Sequence, residues 1–349
     1  MDAKITKLRL SRMLSYDWLK IIATAAAAIV VWVLIFTMTA TRITSAQTFT
    51  LCNYVGNVSF NTEFLNDFYS AKKNGVFTGE VLEQGVVDLT TNGEYAGQVL
   101  QARVATEEGD LMFVSTQPDK DTKYEEAVLD PETSEAVLDP ETGKPMKETK
   151  YTATYLQTFL AGYRFNLHNL SLTSENGYFK QMENYLNRYY TDYQNADSLQ
   201  EEKVEEDFLA RIKRTKDKRY KKQAQIQKGV DEAIERMQKY RQALLDFYKY
   251  LDEGVVALTE TTYKQEGEYG FEFTGTYSIN LCPNEKMSKL SKYVCYAVEY
   301  EDENGDTQIT TSAKDMNVCL FNMNGKEEEF RYEGLLYITH LIDSVLEMK

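Results

Sequence analysis

TFTLCNYV (48–55), NTEFLNDFYSAKK (61–73), EVLEQGVVDLT (80–90), YAGQVLQARVAT (95–106) and DLMFVS (110–115) follow one another with short connections, and their order sets the fold. The first is an apolar run of strand length. The second carries apolar side chains at helical spacing behind Asn61, an N-cap residue type, and stops at Asn74-Gly75. A second extended run follows. Val99, Leu100 and Val104 then mark another helix, and Asp110 to Ser115 a third strand. Strand, helix, strand, helix, strand is how a parallel, helix-covered α/β sheet is encoded.

Upstream lies IIATAAAAIVVWVLIFTMTAT (21–41), 21 residues without a charge. As a helix it measures about 31 Å, the thickness of a bilayer core. Lys4, Lys7, Arg9, Arg12 and Lys20 precede it, and after Arg42 no Lys or Arg occurs until Lys72. The positive-inside rule therefore predicts a cytoplasmic tail over 1–20, a transmembrane signal anchor over 21–41 and an extracellular domain over 47–349. Thr44-Ser45-Ala46 would suit a cleaved signal peptide. The apolar run exceeds the usual h-region, so the uncleaved, single-pass anchor in the cell membrane is the reading adopted.

The chain holds 39 basic and 54 acidic residues, a net charge of −15. Six of the basic and two of the acidic residues lie within the first 46, which leaves 33 against 52 beyond them, or −19. Such a domain repels phosphate backbones, so nucleic acid is not an expected partner. Four cysteines (Cys52, Cys282, Cys295, Cys319) form no CxxC pair, and two histidines (His168, His340) are too few for a zinc cluster; no metal or cofactor is expected. Whether any of the cysteines pair stays open. G-x-S-x-G, H-E-x-x-H and the P-loop signature are all missing, so the chain is read as no enzyme and no catalytic residue is assigned. A glycan hydrolase built on two carboxylates is the third class considered, but no pair stands out among 52 acids.

Residues 117–150 read as an exposed loop or hairpin. They hold four of the five prolines and a direct repeat, EAVLDPET at 126–133 and again at 135–142. Asp130-Pro131 and Asp139-Pro140 are read as turns; the acids there do not match the spacing of an EF-hand. Residues 151–254 are expected to be helical, ending in a proline-free run from Glu201 to Asp252 with an apolar stripe through Ile226, Val230, Ile234, Met237, Leu244, Leu245, Tyr248 and Leu251. Within it, positions 211–222 carry eight basic groups, among them Arg211, Lys213, Arg214, Lys218, Arg219 and Lys222. The plain reading is a solvated face. The functional one is a patch that docks an anionic lipid headgroup, wall polymer or acidic partner.

The last part, 255–349, returns to strands. FEFTGTYSINLC (271–282) alternates, YVCYAVEY (293–300) and DENGDTQITT (302–311) form a hairpin across Asn304-Gly305, and VCLFNMNG (318–325) is a further strand. Asp302, Asn304 and Asp306 are turn residues rather than a calcium loop, because Gly305 sits at the wrong place. EGLLYITHLIDSVLE (333–347) closes the chain as an amphipathic helix with Leu335, Ile338, Leu341, Ile342 and Leu346 inward and His340 packed beside them.

The run GQVLQARVATEEGDLMFVS (97–115) resembles the first lobe of extracellular solute-binding proteins of bacterial ABC importers, in which a helix leads through an acidic residue, here Asp110, into a strand that ends at the cleft. TFTLCNYVGN (48–57) looks like the opening strand of that family and EGLLYITHLIDSVLE like its C-terminal helix. The resemblance covers 47–116 and about the last 80 residues, and departs from the family in its transmembrane anchor and its helical, basic middle. It implies an N-terminal transmembrane helix followed by a periplasmic-binding-protein-like α/β ectodomain with a long helical insertion, on the surface of a Gram-positive bacterium. Ligand would then meet the C-terminal strand ends, at Asn53, Tyr54 and Asn57 after the first strand and Ser115 and Thr116 after the third.

Two functions follow. One is a membrane-anchored solute-binding-like protein that serves an ABC permease and carries a sugar or peptide. The other is a non-catalytic interaction or scaffolding module that docks a permease or wall polymer through its basic helix.

Overall fold

The structure, a computed structural model, describes residues 7–39, 43, 47–53, 59–89, 95–140, 142–265, 270–301, 307–322 and 328–348. Tyr54, Asn57, Glu141, the small residues 44–46 and the turn 302–306 lie outside them. The chain divides into two compact units, Met1–Arg42 and Ile43–Lys349.

The described residues of the first unit form one helix, α1 (Lys7–Thr39). Within it Trp18–Thr37 is 20 residues of mean hydropathy 2.5, long and apolar enough to cross a membrane. Its threonines hide their hydroxyls on the helix itself: Thr24 Oγ1 donates to the Lys20 carbonyl and Thr37 Oγ1 to that of Val33.

The second unit opens with β1 (Thr48–Asn53), α2 (Thr62–Ala71), β2 (Glu83–Asp88), α3 (Ala96–Ala105) and β3 (Leu111–Ser115). Asn61 caps α2, its Oδ1 accepting from the Phe64 amide at 2.8 Å, and Gly75 ends the turn after it at φ +75°. β1 pairs in parallel with both β2 and β3, so the first half of the sheet is the expected parallel unit in the order β2-β1-β3. Asp110 fastens β3 to β1 by accepting from the Thr50 amide at 2.8 Å.

Residues 118–154 fold as a three-armed excursion. One arm is the ladder of β4 (Lys123–Ala127) with β5 (Lys147–Tyr151). Each copy of EAVLDPET supplies another, bridged at Leu129/Ala136 and at Leu138/Pro145. The arms join in a ring of backbone hydrogen bonds at nine-residue spacing: Val128 N to Met146 O (2.9 Å), Met146 N to Val137 O (2.8 Å) and Val137 N to Val128 O (2.8 Å). Both turns are built alike, with Asp130 Oδ1 accepting from the Thr133 amide and Asp139 Oδ1 from that of Thr142. The aspartates are turn caps, as Asx turns require.

Helices follow: α4 (Tyr155–Tyr163), α5 (Tyr178–Leu186), α6 (Glu201–Thr215) and α7 (Gln223–Asp252). The proline-free run is therefore two helices rather than one, broken where Lys216 turns left-handed at φ +53°. Gly229 is what lets them close: a Cβ there would stand 2.3 Å from the Phe208 ring and 2.6 Å from that of Tyr220. α7 buries Val230, Met237 and Leu244 as expected, together with Ala233, Arg236, Tyr240 and Phe247, while Ile226, Ile234, Leu245, Tyr248 and Leu251 are only half-buried.

β6 (Ala257–Gln265) and β7 (Phe271–Asn280) form a hairpin; α8 (Leu290–Val294), the hairpin β8 (Ala297–Glu301) with β9 (Thr307–Thr311), β10 (Met316–Leu320) and α9 (Glu333–Glu347) complete the chain. β10 runs antiparallel between β3 and β7, which makes one six-stranded mixed sheet in the order β2-β1-β3-β10-β7-β6. The period-2 alternation of strands divides its residues between two cores. Phe49, Leu51, Phe113 and Val318 face α2, α5, α7 and α9; Cys52, Met112, Val114 and Cys319 face α3 and α4. α9 is buried almost all round, and Leu346, expected inward, is 42% exposed beyond the sheet's cover.

Candidate functional site

The parallel strands deliver Asn53 and Ser115 to one edge of the sheet, beside Thr116. Asn53 is wholly buried at the end of β1, and its carbonyl accepts from the Leu89 amide at 2.8 Å. Ser115 is wholly buried too. Its hydroxyl shares a short hydrogen bond with the phenol of Tyr296 and accepts from the Gln117 amide at 2.9 Å. Thr116 donates its amide to the Asp315 carbonyl at 3.0 Å, and its hydroxyl lies 3.3 Å from the Asp315 carboxylate. At this edge the Ser115 and Thr116 hydroxyls are engaged by the chain itself, through a tyrosine and an aspartate about 180 to 200 positions downstream.

The basic run is sorted by the fold. Glu80, 4% exposed in the loop before β2, receives Arg211 on Oε1 at 2.6 Å and Arg219 on Oε2 at 2.7 Å, with Arg236 Nη1 at 3.7 Å. Arg236 also donates to Glu329 at 3.2 Å, and Arg219 holds Asp217 at 2.7 Å. Burial alone would raise the Glu80 carboxyl; the charge and hydrogen bond of Arg211, then the charges of Arg219 and Arg236, outweigh it and hold the group below its ordinary value. Arg211 is thus buried and Arg219 half-buried beside it. Lys213, Arg214, Lys216, Lys218, Lys221 and Lys222 stay exposed, a basic crest over the end of α6 and the turn to α7.

Beside this cluster a cavity of about 540 Å³ opens between the end of α5, α6 and the turn before α9. Asp207, Ala210, Arg211 and Arg214 line it from one face of α6, at i, i+3, i+4 and i+7. Tyr185, Arg188 and Tyr189 form the second wall and Glu328 with Glu329 the third. Sequence reasoning missed Glu80 and the whole cavity. Arg236, buried on α7 between Ala233 and Tyr240, lies off the stripe read from the sequence.

Other groups are structural. His340 Nε2 meets Asp67 Oδ2 at 2.9 Å, and His168 is buried against Tyr178, its pKa pushed down to about 3 by burial and the Arg331 charge. The four cysteines are free thiols; burial lifts Cys52 to about 12 and Cys319 higher still. Among the described residues no group of three or more His, Cys, Asp or Glu could hold a metal ion. No family model, curated protein or solved structure matches the chain.

Proposed function

We propose that the chain is a single-pass membrane protein whose outward-facing α/β domain is a non-catalytic docking module for a polyanionic wall polymer. The observation that carries this reading is the sorting of the basic run: Arg211 and Arg219 turn to Glu80, and Arg219 also to Asp217, while five lysines and Arg214 are exposed between the end of α6 and the start of α7. Lysine ammonium groups are hydrated point charges on flexible stems. They suit a diffuse, repeating charge such as a poly(glycerol phosphate) better than one carboxylate fixed in a bidentate fork. The acidity of the rest of the domain keeps such a polymer confined to the crest. Basic residues ahead of the apolar helix put the N-terminus in the cytoplasm and the crest on the polymer's side.

The test is binding of full-length protein in lipid nanodiscs to a purified poly(glycerol phosphate). Affinity should fall steadily with salt. A lysine near an anionic surface contributes about 1 kcal/mol, so reversing Lys213, Lys218 and Lys222 to Glu should weaken binding by about 100-fold or more. Binding that survives the triple reversal removes the reading.

Solute binding is the second reading, and the β2-β1-β3 order favours it. The chain leaves β1 to opposite sides at β2 and β3, and ligands of open α/β sheets lie at such a reversal. Asn53, Ser115 and Thr116 stand there. A solute would have to displace Tyr296 from Ser115 before reaching it.

A further inference from the structure

The cavity between α5, α6 and the turn 328–330 has the size of a small-molecule site, within the usual range of about 300–1,000 Å³. Its floor is buried and its rim is not. Tyr185 is 2% exposed, Tyr189 8% and Arg211 7%, whereas Asp207 and Arg214 reach solvent. Ala210, mid-way along the α6 wall, keeps the space open.

The charges that line it are largely spent on one another. Arg188 holds Glu328 through two parallel hydrogen bonds of 2.6 and 2.8 Å. Arg211 is bonded to Glu80, and Glu329 is shared between Arg236 and Arg211 at 3.2 and 3.3 Å. Tyr189 donates to Asp207 at 2.9 Å. Three arginines and three carboxylates line the cavity, so its walls sum to zero charge.

That balance selects the solute. At the floor of the cavity, where Arg211 is already paired with Glu80 and Glu329, an entering anion or cation would either remain uncompensated or break a buried pair, and breaking one leaves its partner charge poorly solvated. A neutral molecule bearing several hydroxyls avoids both costs. A carboxylate offers about four lone-pair sites and a guanidinium five N–H donors, so paired groups keep valences to spare. Each hydroxyl both gives and accepts a hydrogen bond. The rings of Tyr185 and Tyr189, edge to face at 5.4 Å, supply an apolar surface for C–H groups.

We infer that this cavity binds a neutral polyhydroxylated solute of saccharide size. The site is separate from the sheet edge at Asn53 and Ser115 and needs none of the crest lysines.

Calorimetric titration of the full-length protein in nanodiscs, which avoids detergents with sugar headgroups, tests the inference. The probes are D-glucose, D-galactose and D-xylose, with D-glucuronate and D-glucosamine as charged counterparts of the same ring. At least one neutral sugar should bind saturably, and its charged counterparts about 10-fold or more weaker, because an uncompensated charge is disfavoured in the cavity. Ala210→Leu, at an exposed helix position, should abolish that binding with the melting temperature kept, and the crest triple reversal should leave it intact. No binding of any neutral sugar, glucuronate or glucosamine binding as tightly, or unchanged binding in A210L would each overturn the inference.

Discussion

The α6–α7 hairpin and the three-armed excursion at 118–154 both carry dense charge, yet they are held in opposite ways. The hairpin is fastened from below by side chains. Arg211, Arg219 and Arg236 converge on Glu80 and Glu329, and Gly229 lets Phe208 and Tyr220 lie against α7. The excursion is held by backbone: a ring of three hydrogen bonds at its centre and Asx turns at two tips, with Leu129 and Leu138 more than half exposed at equivalent positions. A charged segment displays its side chains reliably where something other than those side chains positions it. In the hairpin Arg211, Arg219 and Arg236 do the positioning, and the basic side chains exposed at its tip are on display.

The hairpin's anchor is the place to break this contrast with the largest effect. Glu80→Ala leaves Arg211 and Arg219 facing each other across an empty position, and removal of one partner from a buried ionic cluster costs about 3–5 kcal/mol. Denaturant unfolding should show that loss, whereas Lys213→Ala should stay within about 0.5 kcal/mol; a Glu80→Ala cost similar to that of the lysine would mean the anchor does not hold the hairpin. The sign with pH follows from the depressed carboxyl. Glu80 is lowered in the folded state from an ordinary 4.5, so its contribution is complete above that value and fades as the pH falls through the folded pKa. Glu80→Gln should lower stability at neutral pH and flatten its decline below about pH 4.5.

Gly229→Ala acts on the same hairpin more gently. The added methyl meets two aromatic rings at under 3 Å, and overpacking of this kind costs about 1–3 kcal/mol. Helix propensity alone favours the alanine by about 1 kcal/mol, so the measured sign decides between packing and propensity. Gly162 in α4 is the control. A Cβ there meets nothing within 4 Å, and Gly162→Ala should be neutral or stabilising. A destabilised G229A that also binds the polyanion more weakly, with every lysine present, would tie crest geometry to α6–α7 packing.

What was legible in the sequence is local. The order from β1 to β3, the Asn61 cap and the nine-residue repeat are written in neighbouring residues and recur in the structure. Partners far apart were not legible. That β6, β7 and β10 extend the first sheet rather than form their own depends on β10 pairing with β3, about 200 residues away. Arg211 and Arg219 turn inward because of Glu80, more than 130 positions earlier. The break between α6 and α7 has neither Gly nor Pro to announce it, only Lys216 in a left-handed conformation. The cavity draws its walls from 185–189, 207–214 and 328–329. The third arm has the spacing of the repeat without its letters: Met146 and Lys147 stand where Val128, Leu129 and Val137, Leu138 stand in the copies.

The two copies themselves permit the finest comparison, because they differ at the one position where the backbone demands something special. The residue after Asp-Pro-Glu-Thr is left-handed in both, Ser134 at φ +57° and Gly143 at φ +66°. Glycine takes that conformation freely, whereas a residue with a Cβ pays about 1 kcal/mol for it. Ser134→Gly should therefore stabilise the first tip by up to about 1 kcal/mol, less what the more flexible unfolded chain returns, and Gly143→Ala should cost the second about as much. Neither change should move the global unfolding midpoint, because the excursion can open without the core. The readout is hydrogen exchange at the amides of Val128, Val137 and Met146, which close the central ring. If both tips feed the ring, S134G slows exchange at all three and G143A speeds it at all three. If each substitution moves only the amide beside its own tip, the three arms open independently, and the ring is a junction of separate hairpins rather than one cooperative unit.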